Sequence, residues 1–295
     1  MHNFQGRVFP GSGVLVSSTG MRSREVCYAD GVLIAVSVPA TNERGPQYME
    51  QVLDSLHTRS AWRSPVRFEI GRHDKEVMLY CRVRRRLEQS VVQQLQASYP
   101  DCRIVRLPDD ALRPPAGFRC HRWRLSVRPS TAALRTWHDF ADREQQTFAD
   151  PLAGILQLID DEALHVRVCL NTRPIRWWNR RLAALVSPQP EPESGKRDRN
   201  VFSAWLSIHV AASPRRRIPA RNRLCDLAAA YARFAGGAVS FRRSLLPRTF
   251  YVSTPELATL WHPATRQVRS EKMATVQSRQ FEPPAAVTTG GKEQG

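Results

Sequence analysis

Apolar residues recur along this chain with two periods, two and roughly 3.6, and the order in which these follow one another predicts its elements. Val32–Val38 (VLIAVSV) is rich in β-branched residues and predicts a central strand. Pro46 suits a first helical turn, and Met49, Val52, Leu53 and Leu56 then fall on one helix face. Val66, Phe68 and Ile70 alternate, as do Val77, Leu79, Cys81 and Val83, with His73-Asp74-Lys75 between them as the turn of a hairpin. Leu87, Val91 and Leu95 mark a second helix that ends before Tyr99-Pro100, and Cys102–Leu107 closes the unit as a strand. The order is βαββαβ, the ferredoxin-like arrangement, in which both helices cover one face of an antiparallel sheet.

After the joint Arg113-Pro114-Pro115 a similar succession returns. Phe118–Val127 predicts a strand whose alternation slips near Arg122, the mark of a bulge. Asp150-Pro151 starts a helix with Leu152, Ile155, Leu156 and Ile159 on one face. Leu164, Val166, Val168 and Leu170 alternate, and so do Phe202, Ala204, Leu206, Ile208 and Val210. A helix over Arg221–Ala235 presents Leu224, Leu227, Ala228 and Tyr231 and stops at Gly236-Gly237, before a short strand Ala238–Arg242. The expectation is an α+β protein of two tandem ferredoxin-like sandwich units. A lead segment (1–30) precedes the first unit (31–112). The second unit (116–262) carries a proline-rich, charged insertion (187–200) expected as a disordered loop, and residues 263–295 are expected as a flexible linker and tail.

Composition narrows the function classes. The formal net charge is +17, and lysine occurs only at Lys75, Lys196, Lys272 and Lys292, so arginine carries almost all of the positive charge. Arginine's planar fork suits phosphate and carboxylate. The excess is either a footprint for nucleic acid or an acidic partner, or a surface that simply carries the arginine codons of a GC-rich genome. No apolar run is long enough to span a membrane, and Met1–Pro10 lacks the layout of a secretory signal. A cytoplasmic protein is expected, peripheral to any membrane-bound complex that it joins. The six cysteines include no Cys-x-x-Cys pair, and Cys81, Cys102, Cys120 and Cys169 fall in strand-like runs, where thiols serve as small hydrophobes.

Catalytic and cofactor motifs are not found. Gly290-Gly291-Lys292-Glu293 lacks the first glycine of a phosphate loop and has Glu where Ser or Thr belongs. The eight histidines show no metal-ligand spacing. Asp160-Asp161-Glu162 lies in a turn, and adjacent Cys120 and His121 would point to opposite faces of a strand. No enzymatic activity, no cofactor and no metal are therefore expected.

Two segments suit a polyanion. Arg173, Arg176, Arg180 and Arg181 flank Trp177 and Trp178, a pairing that stacks bases and contacts phosphates. Trp178 shares a helix face with Ile175, Leu182 and Leu185 and reads as core, which leaves Trp177 for binding. Arg215, Arg216, Arg217 and Arg221, with Arg223, cluster at the start of a helix, where positive charge opposes the helix dipole. For the first segment the competing reading is a helix packed by its apolar face, and for the second a solvated surface patch, which is the favoured one.

The most specific phrase is Tyr251–Pro263 (YVSTPELATLWHP). Ser253 or Thr254 caps a helix, Pro255 takes its first turn, Glu256 favours its N-terminus, and Leu257, Leu260 and Trp261 form its apolar face, with His262 following. Further phrases precede it in order: Gln47–His57 with Phe68-Glu69-Ile70, Ser98-Tyr99-Pro100-Asp101, and Asp150-Pro151-Leu152-Ala153. This ordered set resembles the N-terminal region of conjugative coupling ATPases of the FtsK/HerA type, from type IV secretion-like DNA-transfer systems. The resemblance covers roughly residues 30 to 285, and Ser278-Arg279 with Pro283-Pro284 look like the linker that leads to the family's ATPase core. It implies an accessory or split N-terminal assembly module without that core. The implied partners are an ATPase subunit or other copies of the chain, and DNA. A free-standing nucleic-acid-binding protein is the alternative, and an unrecognised enzyme a weaker one.

Overall fold

The computed structural model describes residues 31–58, 65–142, 147–175, 200–237, 239–246, 248–268, 273 and 275–276. In the first half β1 (Gly31–Pro39), α1 (Pro46–Thr58), β2 (Val66–His73), β3 (Glu76–Arg84), α2 (Arg85–Ser98) and β4 (Arg103–Leu107) succeed one another. Antiparallel pairing places these strands in the order β4-β1-β3-β2. Met49, Val52, Leu53 and Leu56 of α1 and Leu87, Val91 and Leu95 of α2 are all buried, as their spacing requires. The β2–β3 turn holds Asp74 and Lys75 at φ 49° and 72°, the mirror-image geometry that suits the right-handed twist of a hairpin. Lys75→Gly should relieve that left-handed strain and raise stability by about 0.5–1 kcal/mol, read as a higher urea midpoint at unchanged slope.

The second half begins with β5 (Arg119–Arg128), then a small hairpin of β6 (Ala141–Asp142) and β7 (Thr147–Phe148), then α3 (Ala153–Ile159). β8 (His165–Pro174), β9 (Val201–Ala212), α4 (Arg217–Tyr231) and β10 (Ser240–Ser244) follow. These strands stand in the order β10-β5-β9-β8, again antiparallel. The bulge expected near Arg122 does not form. Pairing runs without a break from Arg119↔Ala212 to Leu125↔Leu206. The slip in the pattern comes from Cys120, which lies exposed on the face opposite Trp123, Leu125 and Val127. α4 starts four residues before the expected Arg221, after a 3-10 turn at Pro214–Arg216, and Gly237 at φ 54° follows its end.

The halves share one sheet. β2 and β8, each an outer strand of its own half, pair antiparallel from Val66↔Thr172 to Gly71↔Arg167, which makes the sheet continuous. β11 (Phe250–Ser253) pairs with Val201–Ala204 of β9. β8 runs along one edge of β9, so β11 shares the other edge with β5, end to end. α5 (Thr254–Leu260) follows, and β12 (Thr275–Val276) pairs in parallel with the end of β1. The protein is thus α+β, and among the described residues the main sheet has nine antiparallel strands and one short parallel one. A single apolar cluster joins residues of the five described α-helices to one face of this sheet. On the opposite face the turn after β4 lays Leu112 over Leu33, Ala35 and Tyr80.

The expected tail is held in place at its start. Ala264 and Thr265 are buried, the Arg266 N–H donates to the Asn42 carbonyl, and Asn42 Nδ2 donates to that of Ala264. Residues 1–30, 187–199 of the insertion, and the chain beyond 276 lie outside the described residues.

Candidate functional site

The Ser253–Pro263 phrase forms the most enclosed of the described helices: every residue of α5 is buried. Ser253 is the N-cap, and Glu256 Oε2 accepts from its N–H (2.6 Å) and its hydroxyl (2.8 Å) in a capping box. The other carboxylate oxygen of Glu256 accepts from the Leu134 N–H at 2.6 Å. Thr259 Oγ donates to the Pro255 carbonyl, so the polar groups of this helix find partners indoors. Thr254 Oγ donates to Asp54 of α1, whose carboxylate also takes Asn200 Nδ2. Leu257 and Leu260 join the common core. Trp261 packs on Phe68 with centroids 4.7 Å apart, and its indole N–H donates to the Glu69 carbonyl. The phrase therefore ties α1 of the first half to β2 at the junction.

His262 extends this lock. Its Nε2 lies 3.3 Å from Asp150 Oδ2 and its Nδ1 3.0 Å from the Ala258 carbonyl. Asp150 also accepts from the Leu152 N–H and from the N–H and hydroxyl of Thr265. Burial pushes the Asp150 carboxyl up. The charge of His262 and the hydrogen bonds from its ring, Leu152 and Thr265 outweigh that and hold it below the ordinary carboxylate value. Although Asp, His and Thr meet here, His262 and Thr265 both address the same Asp150 oxygen, so the imidazole does not stand between carboxylate and hydroxyl as a general base would. The His262 and Asp150 side chains have no solvent exposure. The cluster works as a latch between the start of α3 and the chain after α5.

The predicted basic patches separate. Arg173 is exposed near the end of β8, while Arg176, Trp177, Arg180 and Arg181 lie outside the described residues. Arg215, Arg216, Arg217 and Arg221 are exposed around the N-terminus of α4. Arg223 turns away from them, donating to the Leu158 carbonyl and to Asp161. Among the described residues no cluster of His, Cys, Asp and Glu could hold a metal ion, and no helix is long and apolar enough to cross a membrane.

A different set of basic residues converges on the sheet face away from the helices. Arg67 and Arg82 lie there almost fully buried, with Glu69 between them at 0% exposure. Arg82 Nε donates to Glu69 at 2.9 Å, Arg67 and Arg167 approach the same carboxylate at 3.9 and 3.8 Å, and Arg82 also pairs with Asp109. Next along the row, β-pairing sets Arg167 opposite His209 and His209 opposite Arg122. Burial drives the His209 imidazole well below its ordinary pKa, and the positive charges of Arg167, Arg122, Arg67 and Arg124 drive it further.

No protein-family model matches this chain, and no curated protein does. Its surfaces are what indicate a partner. The signal for this arginine face is present in the sequence as the polar positions of period-two runs, and register is what brings those positions together. β5, β8, β9 and β10 contain no Asp or Glu.

Proposed function

We propose that this chain is an assembly and binding module of the kind that precedes the ATPase core in FtsK/HerA-type coupling ATPases of DNA-transfer systems. In this role it docks on an ATPase subunit or on further copies of itself, and its work is binding rather than chemistry. The observation that carries the reading is the burial of Ser253–His262. The phrase most specific to the resemblance is the piece on which the junction of both halves depends. Its neighbours in that resemblance, Asp150-Pro151-Leu152 and Phe68-Glu69-Ile70, are the residues it touches. The strand orders β4-β1-β3-β2 and β10-β5-β9-β8, with helices on one side, likewise support reading the halves as two ferredoxin-like units.

The test is association. The tagged full chain should co-purify stoichiometrically with the ATPase encoded beside it, and an ATPase that elutes alone at low and moderate salt overturns the reading. A second reading, a free-standing nucleic-acid-binding protein, is favoured by one specific observation, the absence of Asp and Glu from β5, β8, β9 and β10.

A further inference from the structure

We propose that the sheet face of the second half away from the helices, from β8 to the exposed β10 edge, is a platform for single-stranded nucleic acid. The inference deepens the nucleic-acid reading and rests on it for the choice of polymer. Register places Arg122 opposite His209, Arg124 opposite both Ser207 and Ser244, and Arg242 opposite Ser126, all on the side away from the helices. Arg242 is exposed, and Arg122 and Arg124 are half-buried. Burial lowers the Arg124 guanidinium, and the like charge of Arg122 beside it lowers it further, a sign of crowded positive charge. The one carboxylate that β2 brings to this face, Glu69, is already shared by Arg67, Arg82 and Arg167.

Past β10 the face opens into a groove of about 1280 Å³. Among the described residues, Arg128, Arg242, Arg243 and Arg248 line it together with five hydroxyl side chains, and no carboxylate does. Arg124 donates to the Leu245 carbonyl at 2.8 Å, which ties the groove's loop to the platform. A groove that its described residues line with arginine forks and hydroxyls matches a chain of phosphates.

The aromatic on the same face selects the kind of polymer. Trp205 of β9 is half-buried, opposite Asn171 and two residues from Ser207. A partly exposed indole beside arginines on one face of a four-stranded array is an arrangement on which unpaired bases stack. Reading duplex DNA instead calls for a helix or ribbon that enters a groove. An acidic protein would use the arginines but has no need of Trp205.

The experiment is fluorescence anisotropy of labelled oligo-dT of about 15 nucleotides, within the span of single-strand sites, with the full chain across a salt series. Binding should weaken linearly in log–log form as salt rises. Arg242→Gln should lower affinity several-fold and reduce the slope by about 0.7, the share of one phosphate contact on a single strand. Trp205→Ala should weaken binding about tenfold with little change of slope. The triple variant Arg215→Gln/Arg216→Gln/Arg217→Gln at α4 should bind as the wild type does. If Arg242→Gln and Trp205→Ala bind normally, or if the α4 variant alone abolishes binding, the platform is misplaced while the nucleic-acid reading stands. If the wild type binds no oligonucleotide at low salt, that reading itself falls. Tighter binding of poly-glutamate than of oligo-dT assigns the face to an acidic protein and overturns the proposal. Arg242 is exposed on an edge strand, so its variant decides the question even if Trp205→Ala does not fold.

Discussion

Trp261→Ala is expected to destabilise the protein by about 3–5 kcal/mol, a large share of the 5–15 kcal/mol that holds an ordinary domain together. The side chain is 1% exposed and sits against Phe68, below the pairing of β2 with β8. Truncation removes its apolar contacts, opens a cavity that the flanking strands cannot close, and deletes the donor to the Glu69 carbonyl. Trp261→Phe keeps a ring against Phe68 and loses the indole hydrogen bond, so its cost should be nearer 1–2 kcal/mol. Urea unfolding measures both. An alanine variant that unfolds at the wild-type midpoint would show that α5 does not seal the junction, and would remove the main support for the assembly-module reading.

How much of this was legible beforehand differs from element to element. Val66, Phe68 and Ile70 alternate and Leu87, Val91 and Leu95 repeat at four, so β2 and α2 could be read locally, because one buried face imposes each period. The start of α5 was legible to within one residue, Ser253 or Thr254, and the structure selects Ser253 through its capping box with Glu256. The depth of the helix was not legible. Thr254, Glu256 and Thr259 look like a solvated side until Asp54 and Leu134 come in from distant sequence to satisfy the first two, while Thr259 donates to the Pro255 carbonyl one turn back. The β2–β8 pairing was hidden for a related reason. Arg67 and Glu69 read as outward-facing polar residues, yet they lie buried where two sheets merge. Arginine runs such as Arg215-Arg216-Arg217 are visible in the sequence at once, whereas Arg122, Arg124 and Arg242 are not. Those residues are scattered through two strands and become one surface only through register.

Removing the Asp150 carboxylate should cost nearly as much as removing Trp261, and it should also change how the protein responds to acid. Asp150→Ala leaves the buried His262 ring, the Thr265 N–H and hydroxyl, and the Leu152 N–H without their acceptor, a loss of about 3–5 kcal/mol for one half of a buried pair. The sign of the pH effect follows from the direction of the shift. The carboxyl is held lower in the native protein than in the unfolded chain, where it titrates near about 3.9. Its contribution is therefore complete above that pH and disappears as pH falls through the native value. Wild-type stability should drop between about pH 4 and more acid conditions by an amount that the variant does not show, because the variant has already lost it. The two stability curves should be well separated at pH 7 and converge in acid. A constant gap between them down to pH 2 would mean that Asp150 acts through packing alone. The charge it shares with His262 would then have no part in fastening the chain after α5 to the start of α3.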